Sequence, residues 1–350
     1  MQAVADNNQY FSKKVTALNV VATVLIVILH SSSPERFGYP VTIDSYAPIF
    51  WISCFCQLAV PVFFFVSAIL FYKNCDFEKL PGKLLSRAKS LVVPYFVWNI
   101  ILVSVYCVLA HTPFVSATLN NEYHLDTIRQ FFIAVIYSRC SDLWFVKNLI
   151  IYSILSPIIL LSLKNRLVST LILIGSIALI FVYPVGYESV LKWFPVYYQG
   201  AILGYLYNKA GHYQPIVCKS KTEEFVFSAI CLSFFLLAFA GSIFSTTGMD
   251  IYRLLAPLLM WVIVDLVSAD YISDRFQVKD WMKYTFVIYC SHHIILNVLQ
   301  KLVVISLPAK PVVIYCTYIL SPIVTLLMIV SIAKLLSRYS FFKLLSGWRN

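Results

Sequence analysis

Apolar runs long enough to cross a bilayer recur from one end of this 350-residue chain to the other, and no other feature constrains its fold more. A helical span needs roughly 20 such residues. Ten stretches qualify, at about 15–31, 46–72, 89–110, 144–163, 167–183, 191–207, 224–244, 252–270, 283–305 and 311–336. Inside hydrocarbon every backbone polar group has to be satisfied within its own segment, so each stretch reads as a helix. The expected fold is therefore all-α: a polytopic membrane helix bundle of about ten transmembrane helices, with residues 1–350 forming one integral-membrane domain. Composition agrees, with 60% hydrophobic and 12% charged residues against about 45–50% and about 25% in soluble domains. The first run has no A-x-A-like cleavage site and is followed by SSSPERFGYP, so it reads as a span and not as a signal peptide. The stretch 191–207 is the least apolar, carrying Lys192, Pro195, Gly200 and Gly204. Thr127–Tyr137 is too short to cross and reads as an interfacial or re-entrant helix.

The net charge is +11. On a soluble protein that excess would raise nucleic-acid binding, but no basic-aromatic surface segment supports it here, and no nucleic-acid partner is expected. Basic loops orient membrane proteins instead. With the N-terminus placed inside, 19 of the 27 Lys and Arg residues fall in inside segments. That bias puts both termini in the cytoplasm; a cell inner (plasma) membrane is expected by analogy, with the chain in contact with its lipids. It also makes KNCDFEKLPGKLLSRAKS, residues 73–90, a basic cytoplasmic loop. Such a loop serves as a topology anchor on anionic lipid or as a phosphate-binding surface for a cytosolic nucleotide. For the second role Arg87 is the best candidate, because guanidinium grips phosphate bidentately. Nine cysteines include no C-x-x-C pair, and Cys54-x-Cys56 is not metal spacing, so neither a disulfide framework nor a metal site is expected.

The chemistry-bearing residues are few. His30 ends the first apolar run. An ionisable group at that depth is a functional candidate, and an imidazole can take a proton from a hydroxyl near neutral pH. The bland alternative is a histidine bonded to a neighbouring carbonyl. Ser31, Ser32 and Ser33 follow as local hydrogen-bond partners or nucleophiles, without a G-x-S-x-G elbow. Pro94 should kink the third span and free carbonyls beside Tyr95, Trp98 and Asn99. Arg139, Asp142 and Lys147 flank Leu143-Trp144-Phe145, where charges on the outer face can hold a polar acceptor. Gly200 and Gly204 make a G-x-x-x-G packing face. Asp250 and Arg253 are placed to pair with each other. His292 and His293 are adjacent, about 100° apart on a helix, so one at most should face the interior, with no carboxylate nearby for a metal.

Six segments in series resemble the membrane-bound acyltransferase-3 family, the integral-membrane O-acyltransferases that modify bacterial surface sugars. They are His30 in LIVILHSS, Val60–Tyr72, Arg87 with Val93-Pro94-Tyr95-Phe96-Val97-Trp98, Leu143-Trp144-Phe145, Trp193–Tyr207, and Tyr289-Cys290-Ser291-His292. The resemblance implies transfer of an acyl group, usually acetyl, from cytosolic acetyl-CoA to a hydroxyl of a surface or lipid-linked glycan. No bound cofactor is implied, because acyl-CoA is a substrate. His30 would be the general base. Arg87, Lys14, Asn19, Tyr95 and Trp98 would stand on the donor side, and Trp144, Lys147, Arg139, Arg253 and His292 on the acceptor side. One position departs from the pattern. The family typically has arginine eleven residues before the histidine, about 16 Å along one helix face; here that residue is Asn19, and Ala17 replaces a frequent aspartate. That departure keeps two other readings open: an export component for a polysaccharide or lipid-linked sugar, using the same cavity without acyl-transfer chemistry, or a structural partner in an envelope complex.

Overall fold

The computed structural model describes residues 2–112, 125, 127–138, 142–213, 215–216 and 218–348, with the backbone alone for 2–6. Every regular element among them is helical. Seven helices are long and apolar enough to cross a membrane: Asn7–Arg36, Ala47–Tyr72, Leu80–Ala110, Lys221–Phe244, Thr246–Arg275, Asp280–Ser306 and Pro311–Leu336. An eighth expected span is a pair of helices, Trp144–Ile154 and Ser156–Leu163, bent by 61°. The break falls just before Pro157, which stands in the first turn of the second helix, where its missing N–H costs nothing. The other two expected spans are helical too, as Arg166–Val182 and Val190–Ala210. The first is only 17 residues long, and the second carries Lys192, Gln199, Asn208 and Lys209. The count by length and apolarity is thus seven or eight, not ten. The bundle is that of a multi-pass membrane protein.

Its outside is apolar. On Lys221–Phe244 only Cys231, Ala238 and Ser242 are buried, and Phe225, Leu237 and Phe244 stand exposed. A contiguous surface of this kind belongs against lipid. The inside is aromatic: Phe64, Phe65, Tyr152, Trp193, Tyr197, Tyr198 and Trp261 are almost fully buried. Trp193 stacks on Phe64 and Trp144, and Tyr152 stacks on Tyr197.

Helix Val190–Ala210 reaches this core by lying against Ala59–Tyr72. A Cβ on Gly200 would stand 2.3 Å from the Phe65 carbonyl oxygen, and one on Gly204 would stand 2.8 Å from that of Ile69. The G-x-x-x-G face is a packing face, and Ala68 is the small residue it meets.

Three polar devices set the helix ends. A π-helical turn, Ala88–Val92, precedes Pro94 and absorbs the missing hydrogen bond, so Leu80–Ala110 continues as one span where a kink is expected. The Ser90 carbonyl that Pro94 cannot engage is covered by Gly347 near the end of the chain, which takes φ +68° there. Ile128–Tyr137 is a ten-residue helix closed by a capping box between Thr127 and Gln130, with Ile128, Phe132 and Ile136 exposed as on an interfacial helix. Finally, Ser31 Oγ donates to the Tyr318 carbonyl (3.0 Å) and meets Ser321 Oγ (3.0 Å), while Ser33 Oγ donates to the Ile314 carbonyl (2.8 Å). These serines fasten the end of the first helix to Pro311–Leu336, which accounts for two of the three that follow His30.

Replacing Gly200 with valine drives side-chain atoms into backbone and should cost about 1–3 kcal/mol. Thermal unfolding in detergent should show a lowered midpoint for Gly200→Val and none for Gly175→Val, where a Cβ meets open space.

Candidate active site

Three imidazoles and a carboxylate converge where the first helix ends. His30 follows Leu29, the last residue of that helix, and the serine contacts beyond it fix its height. Its ring lies 5.1 Å from that of His292 and 5.0 Å from that of His293, centroid to centroid. Both late-helix histidines therefore face it, against the expectation that only one would. Their directions differ by about 100°, and His30 approaches the seam between them. A carboxylate is also present, again against expectation. Asp142, from the loop before Trp144, places Oδ2 2.5 Å from His293 Nδ1. The Tyr289 hydroxyl holds that loop by donating to the Asp142 carbonyl (2.5 Å).

The proton positions follow from the partners. His292 Nδ1 faces two carbonyl oxygens, of Tyr289 at 2.7 Å and Ile288 at 3.1 Å, so Nδ1 carries the hydrogen. Its Nε2 is then a buried lone pair without a hydrogen-bond partner. A nitrogen lone pair would repel a carboxylate oxygen at 2.5 Å, so His293 carries its proton on Nδ1, between the two groups. Burial works to raise the Asp142 carboxyl, but the His293 imidazole beside it outweighs that and holds the group well below the usual carboxylate range. It is ionised at neutral pH. Ligand atoms of His30, Asp142 and His292 lie within 4.8 Å of one another, a spacing a shared cation could bridge. Arg36 approaches from the side, bonded to Asn297 one turn beyond His293.

A cavity of about 930 Å³ opens at the opposite end of the bundle. Its mouth carries Lys83, Arg87, Lys89, Lys279 and Lys283 against one acidic residue, Asp280. Arg87 is anchored by Nη2 donating to the Ser67 carbonyl (3.0 Å) and lies over the Phe71 ring. Asn19 lines the same cavity, whose guanidinium is that of Arg87 on a neighbouring helix. The cavity's far wall is Phe63, Phe145 and Tyr289. These rings touch one another, and Tyr289 lies 6.1 Å from His292. The histidine cluster begins directly behind them.

A second cavity, of about 560 Å³, holds Lys192, Asp250, Arg253 and Tyr187. The expected Asp250–Arg253 pair is there at 3.3 Å, and Lys192 joins it at 2.6 Å from Asp250. Arg253 also donates to Gln57 (2.6 Å).

Other expected site residues stand elsewhere. Lys14 does not line the donor-side cavity. It is fully buried, with Nζ 2.7 Å from Asp265 Oδ1 and 2.8 Å from the Trp261 carbonyl, and Tyr213 and Tyr10 donate to the same carboxylate. A lysine that deep needs a counter-charge more than a ligand. Tyr95 and Trp98 also lie outside that cavity, because their polar atoms are committed to backbone: the Tyr95 hydroxyl donates to the Ile136 carbonyl (2.6 Å) and Trp98 Nε1 to that of Leu345 (2.9 Å). Trp144 is buried against Tyr187 and Trp193. Lys147 lines neither cavity, and Arg139 lies outside the described residues. Asp142 and His293 are the residues that sequence reasoning left out of the site. Their signals were present, one a carboxylate beside Leu143-Trp144-Phe145 and the other the second half of a histidine pair.

Comparison with protein-family models gives one match, to an acyltransferase domain of the acyltransferase-3 type, over residues 13–337. No curated protein and no solved structure matches the chain.

Removing one partner of a buried ion pair costs about 3–5 kcal/mol. Lys14→Met should therefore lower the unfolding midpoint sharply, and Lys14→Met with Asp265→Asn should recover most of the loss.

Proposed function

The chain belongs to the acyltransferase-3 family, and from that membership we propose that it moves an acyl group, by family default acetyl, from cytosolic acyl-CoA to a hydroxyl of a surface or lipid-linked sugar. The observation that carries this reading is a basic cavity mouth joined, through one layer of aromatic rings, to a histidine cluster at the far end of the bundle. The five cations at the mouth suit the phosphates of a CoA nucleotide, which is too charged to enter further. The thioester arm suits the narrowing apolar interior lined by Phe63, Val66, Phe145 and Leu149. Its carbonyl then has only the Phe63–Phe145–Tyr289 layer to pass before it meets His30. In this reading the basic end and both termini are cytoplasmic, as the charge bias requires, and the membrane is a bacterial inner membrane. The acceptor comes from the opposite side, past Tyr187, Lys192 and Arg253.

His30 deprotonates the acceptor hydroxyl as that oxygen attacks the thioester. Arg87 meets the donor phosphate as a guanidinium already oriented by Ser67.

His30→Ala should abolish O-acetyl groups on the purified surface polysaccharide, read by NMR, while the protein stays monodisperse in detergent. Full acetylation in that variant would overturn the catalytic role. Arg87→Ala should raise the acetyl-CoA KM about 10–100-fold, the loss of one charge-assisted contact of about 1.5–3 kcal/mol, and Arg87→Lys should recover only part of it.

A further inference from the structure

The cluster around His30 contains one relation that the reading above does not use. A carboxylate and a second imidazole are built against the proposed base, on separate elements. Asp142 comes from the loop before Trp144 and His293 from Thr285–Ser306, and they meet at 2.5 Å. A carboxylate oxygen of Asp142 also lies within 4.8 Å of a ring nitrogen of His30. The Asp142 backbone is separately pinned by Tyr289, so its carboxylate is aimed by a fixed loop.

We infer that Asp142 and His293 form a carboxylate–imidazole pair that positions His30 and balances the imidazolium formed on it during acyl transfer. The inference rests on the acyl-transfer reading and adds two positioning residues to it. Elsewhere in protein chemistry a carboxylate beside a catalytic histidine fixes its orientation and stabilises its charged form without taking the proton. Here the carboxylate serves two imidazoles at once. His30 takes the hydroxyl proton, the new C–O bond forms as the thioester C–S bond breaks, and the CoA thiolate leaves. The proton passes from His30 to the sulfur, so CoA departs as the thiol and His30 is neutral again. Asp142 stays ionised and His293 keeps its Nδ1 proton throughout. His292, whose Nε2 lone pair is buried and unpartnered, is a second hydrogen-bond acceptor facing the same space.

The test uses membranes from the protein's own host cells, which carry the native acceptor, supplied with radiolabelled acetyl-CoA. Label in the glycan fraction is followed against donor concentration. Asp142→Asn keeps the side chain's shape and removes its charge. It should lower kcat by up to about 10⁴-fold, the loss seen when the carboxylate of a serine-protease triad is neutralised, with the acetyl-CoA KM within twofold of wild type. His293→Gln should lower kcat in the same way by a smaller factor, and Asp142→Glu should restore part of the rate. A merely structural role would instead lower the amount of folded protein and leave kcat per folded molecule unchanged. That result, or an Asp142→Asn rate within threefold of wild type, overturns the inference. Activity lost to a chelator and restored by zinc overturns it as well, because Asp142 would then be a metal ligand. Wild-type membranes that transfer no label overturn the acyl-transfer reading and this one together, whereas wild-type transfer lost in His30→Ala but retained in Asp142→Asn removes only this one.

Discussion

Polar groups inside hydrocarbon have to find partners within the protein, and most of this architecture follows from how they do. An unpaired charge or donor there costs several kcal/mol, so a polar side chain in the bundle is either bonded away or, where it is left unpaired, a candidate for function. Lys14 is the first kind: Asp265, Tyr213 and the Trp261 carbonyl surround it and tie the first helix to Thr246–Asp270. Ser31, Ser321 and Gln300 do the same at the other end of that helix, with no charge involved. Between these two fastenings the helix cannot slide, and the height of His30 in the bundle is set. The unsatisfied Nε2 of His292 is the second kind. Its neighbours are not a random polar patch but three further groups able to move or hold a proton.

The same accounting separates what was readable in the chain from what was not. Apolar runs of about 20 residues announce helices regardless of tertiary context, so the segments fall where the runs are. Whether a run is a straight span, a bent pair or a 17-residue helix depends on backbone detail, such as the break before Pro157. His30 and Arg87 were legible because each is a lone polar group in an apolar or basic stretch, and both line or adjoin the proposed path. Lys14 was misread because a charge near a helix start looks like a topology marker until its counter-charge, 251 residues later, is known to touch it. Asp142 and His293 were missed for the complementary reason. The angular argument about adjacent residues is correct for one partner helix and fails when the partner is a single side chain arriving between two faces.

Asn19 takes one guanidinium out of the family pattern, in which Arg87 is a separate position. It lines the basic cavity, as its place three turns below His30 requires. The guanidinium in that cavity is Arg87, carried on Leu80–Arg87 and oriented by the Ser67 carbonyl of the adjoining helix. The cavity keeps that one fixed guanidinium, with Lys83, Lys89, Lys279 and Lys283 around it.

The layer formed by Phe63, Phe145 and Tyr289 has a consequence of its own. A passage wide enough for a thioester arm, opening at both ends of a membrane protein, is also a route for protons and ions. Three rings packed against each other leave no chain of water along which a proton could hop. The Tyr289 hydroxyl, already committed to the Asp142 carbonyl, offers none either. In the proposed reading, the layer is therefore also electrical insulation between the basic cavity and the histidine cluster behind it.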